Sequence, residues 1–541
     1  MFASGIALGH SCKEQAIVIV IVVSRDTVNN RKENEKACGP HAPGVLVLLH
    51  RGVYYSEGAE LSRTIAVIGG GPSGLAAAYE LAREGARVLV LEQLNDVGGL
   101  SRTMKHDGCL FDVGPHRFFT KNEEVRQFYL NVLAEDAVIV PRLTRILYEN
   151  RLFNYPLTPL NVVGGLGPAE CIHVVADYAL AQLRNIANPR EAETFEDWVE
   201  QRFGRRLYEA FFKTYTEKVW GIPCTDISAD WAAQRIKSLS LPQAIRNALL
   251  KDNGGKVKSL VNEFLFPRLG SGQFYEKIAS FIKGRGGVVR RGCRVQRVIR
   301  EDRHVRAIVV DTGNGVTEEI ETGFVLSSAP LTELVEMMTP DAPDAIEAAR
   351  KALRYRDHLG VHLKVEGSPF PDNWIYVHSK NVQVARISNY RNFSKEMAGQ
   401  GADVSPLTAE YFTFKSDDLW RSSDDSLVSL ATAEMKRSGL LHSEKQVLSG
   451  FVLRSEKAYP MMELGYEKNI ALIKTWLDGF DNLLPIGRSG MFKYNNQDHA
   501  IATGLLAART ALGIGSFDPW LVNIDAEYHE ETRQECLTSA S

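Results

Sequence analysis

Ile65-Ala66-Val67-Ile68-Gly69-Gly70-Gly71-Pro72-Ser73-Gly74 leads into the helix-like stretch Leu75 to Glu84 and then into a second apolar run, Val88-Leu89-Val90-Leu91, closed by Glu92. Strand, Gly-rich turn, helix and strand in that order form a dinucleotide-binding unit. Each glycine has its own task. Gly69 allows the tight turn, Gly71 lets backbone approach a pyrophosphate, and Gly74 lets the helix pack close to the strand. Pro72 and Ser73 open the helix, whose unpaired N–H groups point at the phosphates. Glu92 can accept hydrogen bonds from ribose hydroxyls. The bland alternative is a chance Gly-rich turn in some other α/β protein.

Outward from this unit, the bulk numbers set limits. The 541 residues suffice for two to four domains, and 44% hydrophobic with 24% charged residues predicts a soluble globular chain. A net charge of −3 gives no global pull toward nucleic acid or anionic membrane. A local basic stretch from Lys283 to Arg306 is interleaved with Val288, Val289, Val295 and Val298 and carries no stacking aromatics. It reads as strands with solvated cations, not as a nucleic-acid patch. Seven cysteines without a C-x-x-C pair predict a reducing, cytoplasmic location and no zinc cluster. No apolar run reaches the ~18 residues of a membrane span. Residues 1–62 show little periodicity and are expected to be a poorly ordered N-terminal extension.

Further along, Gly98-Gly99-Leu100-Ser101-Arg102 again allows close backbone approach, with Arg102 in reach of phosphate. A strand pattern over Cys109 to Val113 ends in Gly114-Pro115-His116. From Asn122 to about Lys251 the pattern is mostly helical, with helices over Phe195 to Phe203 (Thr194 as N-cap), over Leu207 to Trp220, and one opened by Ser228 that places Trp231 and Arg235 on one face. Gln273 to Lys283 reads as a helix, and Thr312-Gly313-Asn314-Gly315 as a hairpin turn. Alternating runs at His358 to Val365, Trp374 to Val377 and Tyr411 to Phe414 predict an antiparallel sheet. Near the end, Asn482 to Arg488 reads as strand and turn, leading through Asn495 to His499 into a helix over Ala500 to Leu512.

Glu92 with Gly98-Gly99-Leu100-Ser101-Arg102 resembles the FAD signature of the flavin-dependent amine oxidase and protoporphyrinogen oxidase superfamily. Within it the chain is similar to UDP-galactopyranose mutases, in order from Thr64 to about Leu512. The matching stretches include Phe111 to His116, Leu152 to Pro156, Tyr215-Thr216-Glu217-Lys218-Val219-Trp220-Gly221, Gln234-Arg235-Ile236, Val384-Ala385-Arg386, Ala458-Tyr459-Pro460, Gly487-Arg488 and Lys493 to His499. The resemblance implies a Rossmann-type FAD domain in three parts (64–140, 266–330, 476–515), a mostly helical cap (141–265), an antiparallel-sheet substrate domain (331–475) and a tail (516–541). It implies non-covalent FAD held by Gly69, Gly71, Pro72, Ser73, Gly74, Glu92, Gly98, Gly99, Leu100, Ser101, Arg102, Gly114, Pro115, His116, Val295, Gly487, Arg488 and the helix start at Asn496, Gln497 and Asp498. Positive helix ends stabilise negative charge on a reduced flavin.

For the reaction, the resemblance implies that reduced flavin N5 acts on the anomeric carbon of a UDP-sugar, contracting the ring without net redox, with NAD(P)H as a source of electrons. Arg235 and Arg386 stand at the family's two diphosphate arginines, and Tyr459 and Tyr494 at tyrosines that bond the same group. Tyr215 matches the residue stacking on uracil, Trp220 one lining the sugar site, and His116 the turn against the flavin. Taken singly, Arg235 is a surface charge on an amphipathic helix, and Tyr215, Trp220 and His116 are core residues. Pro115 and Phe492 depart from the mutase pattern, where a small residue and a tyrosine are usual. The alternative activity is an oxidase acting on an amine, a porphyrinogen or a lipid-linked substrate; a FAD-binding scaffold is a third. No metal motif occurs, and the expected partner is a small-molecule substrate, with no nucleic acid.

Overall fold

The computed structural model describes residues 63–155, 157, 159–236, 263–313, 315–399 and 403–523. The 1–62 extension, the whole stretch 237–262 and the tail beyond 523 lie outside the described residues.

The quoted unit is there. Strand Ile65–Ile68 runs into helix Pro72–Arg83, which begins on its proline, and returns as strand Val88–Glu92. Both strands are buried along their length, which is why they are continuous apolar runs instead of alternating ones. They sit in a five-stranded parallel sheet. Leu483–Pro485 pairs with Phe324–Ser327, then come Ile65–Ile68, Val88–Glu92 and Val288–Arg291. The strand order reverses between Ile65–Ile68 and Phe324–Ser327, so the Gly69 turn lies at the switch point where open α/β sheets bind ligands. Four separate stretches of chain build this sheet, the last arriving about 390 residues after Glu92 (483 less 92).

A seven-stranded sheet forms the second layer system. Its order is Val447–Pro460, Tyr355–Glu366, Val404–Thr413, Arg386–Asn389, Trp374–Val377, Thr144–Tyr148 and Arg151–Asn154. All neighbours are antiparallel except Trp374–Val377 with Thr144–Tyr148. The 144–154 hairpin comes from the region read as mostly helical. Its turn uses Glu149 and Asn150 at φ 47° and 61°, with no glycine to mark it. The arginine run forms strands Val288–Arg291 and Arg294–Glu301, and Arg290 and Arg291 pair with Glu318 and Glu276.

In the helical region, Thr194 Oγ1 accepts the Asp197 N–H at 3.0 Å and caps helix Phe195–Phe203. The expected single helix Leu207 to Trp220 is instead broken. Arg205–Tyr208 passes through a π-turn, Glu209–Lys213, into Thr214–Trp220. One extra residue per turn there rotates everything downstream, Tyr215 first. Among the described residues no helix is long and apolar enough to cross a membrane.

Candidate active site

Two glycine loops make the cradle. Gly98 and Gly99 have φ of 102° and 55°, and Gly98 N–H donates to the Gly70 carbonyl at 2.8 Å, tying the second loop to the first. A Cβ on Gly99 would stand 3.3 Å from the Gly71 Cα, whereas Gly71 itself meets nothing closer than 3.9 Å. Gly74 has no room at all, since a Cβ there would collide with the Gly69 carbonyl oxygen. The two loops therefore touch through hydrogens alone and leave backbone facing open space beside a helix start. Glu92 anchors the first loop, accepting Gly70 N–H at 2.7 Å and Leu94 N–H at 2.8 Å. Burial raises its pKa against those bonds. Arg102 donates to the Gly99 carbonyl at 2.7 Å.

The last segment of the sheet closes this cradle. Gly487, at φ 76°, faces Ser73 Oγ with no room for a Cβ, and its N–H donates to Thr503 Oγ1 at 3.0 Å. Helix Gln497–Ala511 lies against Pro72–Arg83, with Gly504 directly over the Ser73 carbonyl. Asn496 N–H donates to His499 Nδ1 at 3.2 Å at the helix start, and Gln497 Oε1 accepts from the Tyr275 hydroxyl at 3.1 Å. The Gln497 amide nitrogen is buried without a partner.

Across from the cradle is the Gly114-Pro115-His116 turn. Asp112 supports it, accepting Thr103 Oγ1–H at 2.5 Å and Ser271 N–H at 3.1 Å, while Ser271 Oγ donates to the His116 carbonyl at 3.3 Å. The turn rests on an ion pair. Arg386 Nε and Nη2 donate to the two oxygens of Glu410 at 2.7 and 2.5 Å, and His358 Nε2 lies 3.0 Å from the same carboxylate. A Cβ on Gly114 would stand 3.0 Å from Glu410 Oε2. Arg386 and Glu410 are directly opposite on neighbouring strands. Burial opposes both charges, but each holds the other ionised: Arg386 is raised well above its ordinary value and Glu410 lowered. His116 is driven to about 3 by burial, with Arg386 and Arg488 adding to it, so its ring is neutral.

Beyond the turn is an aromatic lobe. Tyr215 stacks on His378 at 4.8 Å and meets Tyr376 edge-on at 5.4 Å. Lys218 Nζ, one turn along the same helix, donates to the carbonyls of Val377, Ser379 and Val384 and fixes that helix to the strand beneath His378. Arg488 lies 4.2 Å from the ring centres of both Tyr459 and Tyr494, and its Nε and Nη2 are buried without a hydrogen-bond partner.

One cavity of about 980 Å³ joins these parts. Gly69, Gly71, Pro72, Ser73, Glu92, Gly99, Leu100, Ser101, Arg102 and Val295 line its cradle end, and Pro115, His116, Arg488, Asn496, Gln497 and Asp498 its middle. Tyr215, Arg386 and Tyr494 line the far lobe. Gly74, Gly98, Gly114 and Gly487 shape the walls from behind. Tyr459 stands behind Arg488. Trp220 differs from the expectation that it lines the sugar site. It is 1% exposed, edge-on to Trp231 at 5.4 Å and to Tyr459 at 6.3 Å, and is part of the core that backs the lobe. Arg235 is on helix Ala229–Ile236, but its side chain lies outside the described residues. Phe492, at φ 50°, is buried against Tyr355 and is not a wall residue. Glu410 and His378 were not anticipated. A single acid in the apolar strand Val404–Thr413 was the one available sign of a buried partner.

The cavity is at the upper end of the size of ligand pockets, and its cradle, helix start and unpartnered cationic and amide nitrogens suit an elongated, phosphate-bearing cofactor. Comparisons with known proteins agree. Residues 72–480 match the model of the flavin containing amine oxidoreductases. A probable UDP-galactopyranose mutase of Klebsiella pneumoniae is 32% identical over 171 residues, 31% of this chain and 44% of that protein. A 4,4'-diapophytoene desaturase of Staphylococcus aureus (strain COL) is 51% identical over 51 residues, 9% of this chain and 10% of that protein. The chain thus aligns with less than half the length of these curated relatives. Reduced UDP-galactopyranose mutase superposes with a TM-score of 0.74 at 22% identity, over 85% of this chain and 99% of that one. A putative protoporphyrinogen oxidase from Exiguobacterium sp. 255-15 does so with 0.62 at 18% identity, over 84% and 99%. At these identities the likeness is one of fold. With a family match over residues 72–480 and a cavity of this form, the chain belongs to the flavin containing amine oxidoreductase family and is a flavoenzyme.

Proposed function

We propose that this flavoenzyme interconverts the pyranose and furanose forms of UDP-galactose, with FAD bound without a covalent link. One observation carries the reading: Arg386, Tyr494 and the Tyr215–His378 stack line the same cavity as the glycine cradle. This supports reading a base-stacking platform and phosphate-directed donors at the end away from the dinucleotide loops. Gly71, Gly99 and the start of the helix Pro72–Arg83 would hold the pyrophosphate, Glu92 the ribose, and the helix start at Asn496 to Asp498 the ring system. Reduced FAD would supply a nucleophile toward the anomeric carbon, with no net redox change.

The protein's own part is to hold the leaving diphosphate. Glu410 fixes the Arg386 guanidinium by two bonds, leaving its remaining N–H groups for substrate. Tyr494 adds a hydroxyl donor at the cavity wall, while Tyr459 backs the Arg488 guanidinium. We assign Arg235 as a second diphosphate cation on its resemblance. Charge grows on the diphosphate as the sugar leaves, so donors set in place beforehand act on the transition state. Neutral His116 borders the ring site without adding a charge.

The test is turnover of UDP-galactofuranose by FAD-loaded protein, with and without dithionite or NADPH. Product from the reduced protein alone supports the reading, and none from either form refutes it. Bleaching of the oxidised protein by an amine or a porphyrinogen under anaerobic conditions would favour the oxidase reading, which the family match supports equally. Arg386→Ala should weaken UDP binding to the reduced protein by about 10- to 100-fold, the loss of a charge-assisted bond pair. Unchanged affinity by titration calorimetry removes Arg386 from the substrate site.

A further inference from the structure

The loop 378–385 begins with His378 and leads directly into Arg386, so one short segment carries two groups of the cavity wall. Lys218 ties the neck of this loop. Its Nζ, one turn along the helix Thr214–Trp220 from Tyr215, donates to the Val377 and Ser379 carbonyls at 3.2 and 2.7 Å on the incoming side. On the outgoing side it donates to the Val384 carbonyl at 3.1 Å. Glu434, on the helix Asp424–Arg437, takes the same loop from the other face. Its carboxylate accepts the Gln383 and Val384 N–H groups at 2.6 and 2.9 Å and the Tyr411 hydroxyl at 3.0 Å. The two faces differ because side chains alternate along extended chain. Val384 shares a core with Leu427, Ala431 and Met435, whereas Ala385 shares one with Val219 and Trp220.

Both charges are costly where they lie. Glu434 is buried, and burial pulls the Lys218 pKa down to about 8 against the opposing pull of Glu434. Among the described residues neither side chain bonds directly to an opposite charge; backbone groups and one hydroxyl satisfy them. Val384 has its N–H on the anion and its C=O on the cation, so its peptide dipoles line up between the two. Apolar packing would hold a loop at less cost, whereas buried charges fix one register. We propose that Lys218 and Glu434 act as one positioning unit, an ion pair bridged by Val384, that sets the spacing between the Tyr215–His378 platform and the Arg386 guanidinium. This rests on the reading of those groups as the nucleotide end of the substrate site. Without the cation, three carbonyls face one another across the neck of the loop. Without the anion, two N–H groups are left unpaired in the core. Either fault lets Val384 shift, and the remaining charge then loses its own bond to that residue.

The experiment is a double-mutant cycle of Glu434→Gln and Lys218→Met in the full-length, FAD-loaded protein, with two readouts. The first is amide hydrogen exchange by mass spectrometry without substrate, with the strand Ile65–Ile68 as the unchanged reference. Glu434→Gln keeps the shape of the side chain but turns an NH2 toward a peptide N–H. It should speed exchange about tenfold in the loop 378–385 and also across the sheet in the helix 214–220. The second is UDP affinity of the reduced protein by titration calorimetry, at unchanged flavin content. Each single variant should weaken it about tenfold, and the double variant about tenfold as well, because the two charges share one residue. The proposal is overturned if Glu434→Gln leaves 214–220 exchanging at the parent rate, if either single variant binds UDP as the parent does, or if the losses multiply to about a hundredfold. Loss of flavin in step with UDP affinity overturns it too, since the pair would then only support the fold. A parent protein that binds no UDP refutes the substrate reading alone. In that case, or if Lys218→Met does not fold, exchange at 214–220 in Glu434→Gln decides: faster supports the bridged pair, unchanged overturns it.

Discussion

At Arg386 the need for a partner was legible and the partner was not. A charge among Val384, Ala385 and Ile387 demands compensation, and the structure supplies it from Glu410, directly across the strand pair. Nothing local ties positions 386 and 410, because cross-strand register is a property of the folded sheet. Removing the anion alone strands a buried cation. Glu410→Gln should lower unfolding free energy by about 3 kcal/mol in urea titrations, and a variant as stable as the parent would show that water already screens the pair. The glycines were legible because their reasons are steric and short-range. Gly74→Ala would press a methyl onto the Gly69 carbonyl oxygen. It is expected to cost roughly 1–3 kcal/mol and to leave the purified protein largely free of flavin absorbance at 450 nm. Full flavin occupancy would contradict the close packing of helix on turn.

Elements that obey a simple period were readable, and those with a fault in the period were not. The helix at 273–283, the cap at Thr194 and the strand Trp374–Val377 all follow from spacing or capping chemistry. The π-turn at Glu209–Lys213 leaves no mark in composition, since it differs from an α-helix by one residue of register. The 144–154 hairpin hides because its left-handed turn residues are Glu149 and Asn150. The long strand Val447–Pro460, irregular against Tyr355–Glu366, alternates too weakly to announce itself. The π-turn has a consequence for the site. Deleting Ala210 should restore a regular helix and turn Tyr215 by about 100° relative to the segment before it. That turn breaks the Tyr215–His378 stack and pulls Lys218 from the three carbonyls it holds. UDP affinity should drop at least tenfold while flavin content stays within a few per cent of the parent. Equal loss of both would mean that the deletion unfolds the cap.

For the whole molecule, buried titratable groups set the pH range of stability. His116, His362 and His378 are pushed by burial to about 3, far below the 6.5 of a free histidine. A folded state that refuses these protons has their full contribution above pH 6.5 and loses it as pH falls toward 3, at about 1.4 kcal/mol per unit for each ring. Glu410, lowered to about 2 by Arg386 against its own burial, adds loss in the same direction below about 4.5. Asp112 works the other way. Burial raises it to about 6, so its penalty at neutral pH is relieved between 6 and 3.8. Glu92 and Asp357, also raised by burial, act with Asp112, but the three rings, whose window runs from 6.5 to about 3, leave acid as the destabilising side, and the melting temperature should be highest near neutrality and fall from about pH 6.5 to 4. His362 isolates the effect, because it is fully buried, is not a cavity wall, and uses one ring nitrogen toward Thr408 Oγ1 at 2.7 Å. His362→Asn keeps a polar group near that position without a proton to gain. The slope of unfolding free energy against pH between 6 and 4 should fall by the equivalent of one proton, read from urea titrations at four or more pH values. An unchanged slope would mean that His362 takes up its proton without unfolding, and that the acid limit of the protein is set elsewhere.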